Sequence, residues 1–470
     1  MSKNETMNSE LNNQIKQMIE TLANAGYLSA PNTPATLDTT QEIRSELKKD
    51  ENGKVKQTYA NCLLILRNDS LFQNAFRFNE HSLLIEVVRN LDWKRDSISF
   101  SDNDLDHIII YLENGYGICA EKKIERAVRV VARENSYHPI REKLLSLHWD
   151  GTTRVVNALH HFLGAEESRF VAESLKTFML GAVARVFYPG CKFDLMLCLV
   201  GGQGAGKSTF LRFLAMEDQF FTDDIKKLDD KKIFENLRGH WIIEMPEMLA
   251  ILNAKMVEET KSFVSRQSDI YRTPYDKFSA DHPRQCVFAG TSNKTQFLPM
   301  DKSGNRRFLP IEVHSENAEC HILNDESSSR AYIEQLWAEI MVIFQSGEYS
   351  LTLPKDLEKD LQSAQENHIP EDPIEIAIRN YLDEKHPEYV CVRMIYHEAL
   401  NHPETDTPAQ WESNAIGEIM DQKMTEYQKI SSHRFPIYGT QRAWVLRKEP
   451  DFHEIPETEK STCPFQNTIL

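Results

Sequence analysis

Apolar positions along the chain fall into three regimes. Between Thr58 and about Asn135 they recur at helical spacing in three pieces, Tyr59 to Leu66, Asn103 to Glu113 and Lys122 to Glu134, joined by turn-rich segments such as Glu113-Asn114-Gly115. The run Phe170 to Phe187 keeps that spacing until Tyr188-Pro189-Gly190 stops it, so 58–190 reads as a mainly helical amino-terminal domain with a helical collar. At Asp194 to Val200 (DLMLCLV) the period breaks into a continuous apolar run bounded by glycines, as a strand buried on both faces requires. Similar runs at Gly239 to Glu244 and Gln285 to Thr291, with helical segments between them, predict a parallel α/β core over 191–346, closed by a helix from Tyr332 to Gln345. An acidic, Pro-containing stretch, 347–373, reads as a linker. After it, helical patterns near Pro373 to Glu384, Arg393 to Leu400 and Gln410 to Lys423 precede strand-like runs at Tyr427 to Ser431 and Trp444 to Leu446. That order predicts a winged-helix-like domain over 374–448. Residues 1–57, with their Ser29-Ala30-Pro31-Asn32-Thr33-Pro34 stretch, and the tail 449–470 read as flexible.

Composition narrows the function classes. The 470 residues, 41% hydrophobic and 27% charged, provide for two to four ordinary globular domains and exclude a low-complexity or collagenous chain. Lys plus Arg number 54 against 71 Asp plus Glu, a net charge of −17, which argues against indiscriminate coating of nucleic acid; any such contact must be local. The longest clean apolar run, Leu195 to Val200, is far short of the ~20 residues that span a bilayer, and the amino terminus lacks a basic-then-apolar signal. A soluble, cytoplasmic protein without a membrane partner is expected. The eight cysteines include no C-x-x-C pair and read as reduced thiols rather than zinc ligands. His81, His107 and His240 read as core or surface residues.

The densest chemistry lies where the buried strand ends. Gly201-Gly202-Gln203-Gly204-Ala205-Gly206-Lys207-Ser208 satisfies G-x-x-x-x-G-K-[ST] between a strand and an apolar helix beginning at Thr209. These nine residues are candidate ATP contacts: the glycines let backbone N–H groups turn onto a β-phosphate, Lys207 reaches the β- and γ-phosphates, and Ser208 holds Mg²⁺. Glu244, at the end of Trp241-Ile242-Ile243, is a second candidate Mg²⁺ residue, with Glu247 three positions on; which of the two orients the attacking water stays open. Asn293 follows the strand ending at Thr291 and is placed to sense a γ-phosphate. Arg306 and Arg307, in Gly304-Asn305-Arg306-Arg307-Phe308, have no adjacent acid, which suggests that one acts on a neighbouring subunit's ATP as an arginine finger.

GGQGAGKST, WIIEMPE, TPYDKF, FAGTSNK and GNRRFLPI, in that order, resemble the virulence-associated protein E family of phage and pathogenicity-island replication proteins, relatives of the superfamily 3 helicases. HPIREKLLSLHWDG and PGCKFDLMLCLVGGQG extend the resemblance over Tyr137 to Val313, and YGTQRAW is similar to the family's carboxyl-terminal segment. The resemblance implies an AAA+-like P-loop ATPase core in an oligomeric, hexameric ring that translocates on single-stranded or forked DNA, beside a separate primase, in the cytoplasm of a bacterial host. It also implies a DNA-gripping hairpin, here Ser268 to Thr273, a turn through Pro274 to Phe278, and Arg284 to Cys286, with Arg272, Tyr275 and Lys277 on DNA and Tyr271 and Phe278 interleaved. In the winged helix, Gln410 to Lys423 would be the recognition helix and Arg434, Arg442 and Arg447 would lie on the wing, facing DNA or protein. Two rival functions remain: an ATP-dependent origin-binding initiator or loader, and an interaction protein that uses nucleotide as a switch.

Overall fold

The structure is a computed structural model that describes residues 40–225, 233–246, 254–273, 278–298, 305–370 and 372–447. The flexible reading of 1–39 and of the tail 449–470 lies outside those residues. The chain divides into two compact units that part after Pro370.

The first unit opens with α1 (Thr40–Glu46), α2 (Tyr59–Asn68), the strands β1 (Phe76–Asn79) and β2 (Leu84–Val87), α3 (Asp102–Tyr116) and α4 (Glu121–Glu134). Ser101 and Asp104 cap α3 reciprocally, and Gly117, at φ 69°, ends it in the left-handed conformation that suits a residue without Cβ. Ile43 and Leu47 are buried with Ile65, Phe72, Phe76 and Ile108, so 40–57, read as flexible, belongs to this core. Asn61 fastens the segment by donating to the Lys48 and Lys56 carbonyls and accepting from the Lys48 amide. The antiparallel β1–β2 pair was not expected: four residues on each side are too few for a period-2 pattern to emerge.

The chain continues through α5 (Pro139–Ser146), α6 (Ala158–Leu163), α7 (Arg169–Phe187), β3 (Met196–Gly201), α8 (Lys207–Leu214), β4 (Phe221–Thr222), α9 (Ile233–Leu237) and β5 (Ile242–Pro246). It then runs through α10 (Ala254–Val264), β6 (Ser268–Tyr271), β7 (Ala280–Pro283), β8 (Val287–Ser292), β9 (Phe308–Val313), α11 (Glu326–Ser346) and α12 (Glu358–Glu366). Strands β4-β5-β8-β3-β9 form a five-stranded, all-parallel sheet in that order. Successive β3 residues serve two cores: Leu197 and Leu199 join one apolar cluster, Met196, Cys198 and Val200 the other. Cover on both faces explains why the sequence shows an unbroken apolar run there.

Two expected boundaries shift. Helix α7, read as a collar of the amino-terminal domain, shares its apolar cluster with β3, α8 and α11, and Ala182 accepts the Trp241 indole N–H at 3.0 Å. Its spacing is helical either way; only the burial of almost its whole circumference shows that it packs on the sheet. The stretch read as a linker, 347–373, contains α12, whose Gln365 side chain donates to the Asn305 and Phe308 carbonyls at 2.7 and 2.9 Å. His368 is buried beside it and its carbonyl accepts from the Phe297 and Leu298 amides. Polar side chains that tie backbone are invisible to a hydropathy pattern, so this segment resembled a linker. Among the described residues no helix is long and apolar enough to cross a membrane.

His81 supplies a pH test of this unit. Its ring is buried against His138 and Phe220, with centroids 5.4 and 5.9 Å away, and burial pushes its pKa down to about 4. In the unfolded chain the imidazole protonates near pH 6.5. Between those values the unfolded state binds more protons, so stability is full above pH 6.5, is lost as pH falls through that value, and stops falling near 4. The loss from this group is at most about 3 kcal/mol. Thermal midpoints should drop between pH 7 and 4.5, and His81→Leu should flatten part of the slope. An unchanged slope in that variant would place the pH sensitivity elsewhere.

The second unit holds α13 (Pro373–Lys385), β10 (Tyr389–Cys391), a short helical segment (Val392–Met394, running into the π turn Ile395–Ala399), α14 (Gln410–Gln422), β11 (Tyr427–Phe435) and β12 (Gly439–Leu446). The strands make a three-stranded antiparallel sheet, β10-β12-β11, and the helices close on Trp444, Ile378, Leu382, Ile395, Ile416 and Met424. Strand β10, three residues long, was not expected, and the two hairpin strands run longer than the apolar pattern indicated because their outer halves are polar.

Candidate functional site

The carboxyl ends of β5, β8 and β3 lie side by side, and a cavity of about 360 Å³ opens over them. Crevices at that edge of a parallel sheet are where such folds bind ligands. The turn from β3 to α8 forms its floor. Gly204 and Gly206 both sit at φ 82°, and a Cβ on Gly201 would lie 2.3 Å from the Val313 carbonyl oxygen of the neighbouring strand. Three glycines are thus required by backbone conformation or close approach. Gln203, Gly204, Ala205, Gly206, Lys207, Ser208 and Thr209 all line the cavity, as do Glu244, Pro246, Thr291, Ser292 and Asn293.

Lys207 is 7% exposed, and its ammonium donates to the Gly201 and Gly202 carbonyls at 2.7 Å and to Asn293 Oδ1 at 3.0 Å. Burial pulls its pKa below the usual lysine value, partly countered by Glu244. Glu244 is fully buried; Oε1 accepts from Ser208 Oγ at 2.7 Å and Thr291 Oγ1 at 2.5 Å, while Oε2 has no hydrogen-bond partner. Burial raises its pKa against those two hydroxyls. A buried ammonium held only by neutral acceptors, next to a helix amino terminus, is a cradle for an anion. A buried carboxylate with one oxygen unpartnered and a hydroxyl on the other fits a hard cation.

The remaining expected site residues separate. Arg307 is engaged within the chain: its Nε donates to Ser265 Oγ at 2.8 Å and lies 3.3 Å from Asp194 Oδ2. The acid absent from its sequence neighbourhood is supplied across the fold, so of the two arginines Arg307 is the one engaged within the chain. Arg306 is exposed and does not line the cavity. Glu247 lies outside the described residues, and so do Tyr275 and Lys277. The hairpin exists as β6–β7, but its return strand is Ala280–Pro283 rather than Arg284 to Cys286. Arg284 is instead buried, bidentate on Asp269 at 2.6 and 3.0 Å with its plane over Phe263. Tyr271 packs between Phe234 and His282, whereas Arg272 and Phe278, the latter 82% exposed, remain on the surface.

Sequence reasoning missed five cavity residues, Pro246, Thr291, Ser292, His321 and Leu323. Thr291 had a usable signal, since it is the penultimate residue of β8, the strand beside the one carrying Glu244. His321 and Leu323 had none: they reach the cavity rim from the segment between β9 and α11. Their local geometry is fixed by the Leu323 amide donating to His321 Nδ1 at 3.2 Å.

Taken together, these features define a parallel α/β domain with an anion cradle at the carboxyl edge of its sheet. Residues 144–370 match the family described as virulence-associated protein E-like domain. The chain is similar to the structure titled "The A form apo structure of NrS-1 C terminal region-CTR", at 14% identity with 79% of this chain and 96% of that one covered and a TM-score of 0.46. A second structure of the same region gives the same identity and coverage with a TM-score of 0.41. No curated protein matches the chain.

Proposed function

We propose that this chain is an ATP-driven DNA helicase or translocase for replication of a phage or other mobile element, acting as a ring, by the family resemblance a hexamer, in the bacterial cytoplasm. The observation that carries the reading is the convergence of Lys207, Ser208, Glu244 and Asn293 on one cavity. In it the turn 201–206 is a P-loop: its backbone N–H groups receive the β-phosphate, and Lys207 exchanges the Gly201, Gly202 and Asn293 oxygens for β- and γ-phosphate oxygens. Ser208 and Glu244 supply an all-oxygen donor set suited to Mg²⁺, which when bound neutralises phosphate charge. Asn293, freed from Lys207, can donate to the γ-phosphate and accept from the attacking water. Glu244 is committed to Ser208, which favours Glu247 as the residue that orients that water. Arg306 is the finger offered to an adjacent subunit, and the β6–β7 hairpin with Arg272 faces DNA. The second unit is a winged helix. A primase is supplied separately.

Two assays test this reading. Turnover of Mg-ATP by the full chain should rise with single-stranded DNA, and a forked duplex should be unwound. Stimulated turnover without strand displacement would convert the reading to an initiator or loader; nucleotide binding without turnover would convert it to a switch.

A further inference from the structure

The second unit sorts its charges by element. From Tyr427 to Leu446 there is no Asp or Glu, and the cations are Lys429, Arg434 and Arg442. Helix α14 is the opposite, with Glu412, Glu418 and Asp421 and no Lys or Arg between Gln410 and Gln422. Strand register then decides where the cations point. Lys429 is opposite Trp444 and Arg434 opposite Thr440, and Thr440, Arg442 and Trp444 alternate along β12, so all three cations project from one face of the ribbon. The diagonal from Arg434 to Arg442 spans about 7–8 Å.

The bulge sharpens this face. Pairing runs Ile430 to Ala443 and then His433 to Gln441, which leaves Ser431 and Ser432, both exposed, opposite the single residue Arg442. Two hydroxyls thereby join two exposed guanidiniums. Asp421 of α14, which reaches this face, accepts from Lys429 Nζ and from the Trp444 indole at 2.7 Å. His433 stacks on Tyr389 and belongs to the opposite side. Guanidiniums with adjacent hydroxyl donors match phosphate oxygens. Exposed Glu418 of α14, the helix that also carries the 67% exposed Trp411, would repel the same ligand.

We propose that the β11–β12 ribbon binds the DNA phosphate backbone through Arg434, Arg442 and the bulge serines, and that α14 does not enter a DNA groove. This inference rests on the DNA-acting function proposed above but uses none of the nucleotide site. The experiment is fluorescence anisotropy of the full chain on a labelled forked duplex across a salt series, with basal ATPase measured on the same samples. Arg434→Ala with Arg442→Ala should weaken DNA binding by tenfold or more at about 0.1 M salt and flatten the salt slope by about 1.8 units, since each lost phosphate contact removes about 0.9. Basal turnover and thermal midpoint should not move, because both side chains are exposed. Glu418→Gln with Trp411→Ala should leave DNA affinity unchanged or slightly increased. Wild-type affinity and slope in the arginine double variant would overturn the proposal, as would loss of binding in the α14 variant. Absence of ATP turnover in every sample would instead strike the nucleotide reading and leave the ribbon result to stand or fall by its own slope.

Discussion

Lys207→Ala is expected to reduce ATP turnover by at least about 10²–10³-fold, the loss typical of removing one preorganised donor to developing charge. The fold should survive. The ammonium contacts two carbonyls and an amide oxygen at the floor of an open cavity, and water can take over those acceptors when the side chain is removed. Glu244→Gln should behave differently. The amide oxygen can still accept from Ser208, so the site keeps its shape, but the charge that would hold a divalent cation is gone. That variant should bind ATP and turn it over poorly even at raised Mg²⁺. Steady-state turnover and nucleotide affinity, measured beside a melting curve, separate these outcomes. Wild-type turnover in folded Lys207→Ala would remove the catalytic reading of the cavity.

The adjacent arginines should part company just as sharply. Arg306→Ala is expected to lower turnover by about 10³-fold or more if its guanidinium completes a neighbour's site, with no change in melting temperature. Arg307→Ala should instead cost stability, because Asp194 and Ser265 lose a half-buried partner. Solvent screening at that depth holds the cost to about 1–2 kcal/mol. Mixing Arg306→Ala with Lys207→Ala subunits supplies the decisive comparison, since a mixed interface can pair an intact loop with an intact arginine. Recovery of part of the wild-type rate is expected. Failure to recover in oligomers shown to be mixed would place Arg306 outside the reaction.

What the sequence revealed and what it hid follow from the range of the interactions involved. The β3–turn–α8 unit was legible because its demands are local: a doubly covered strand needs consecutive apolar residues, and the turn needs glycine where φ is positive. Glu244 and Asn293 were legible because each lies toward the carboxyl end of a strand of that same sheet, Glu244 two residues before the end of β5 and Asn293 directly after β8. The in-chain engagement of Arg307 was hidden because its partner, Asp194, precedes β3 by two residues and meets it only once β9 pairs with β3. Arg284 misled for a similar reason, since its acid is fifteen residues back and the cation becomes internal when the hairpin closes. The register of β11 and β12, and with it the common face of Lys429, Arg434 and Arg442, depends on a bulge that no spacing rule would supply.

Gln365 carries a consequence for anyone dividing this protein. Its amide grips the chain on either side of Arg306 and Arg307, so the short helix holding it works as a splint for the arginine segment at the outermost strand of the sheet. A protein excised after Ser346 would retain every motif from GGQGAGKST to GNRRFLPI and still lose that brace. The cut that keeps the brace falls after Pro370, where the first compact unit ends.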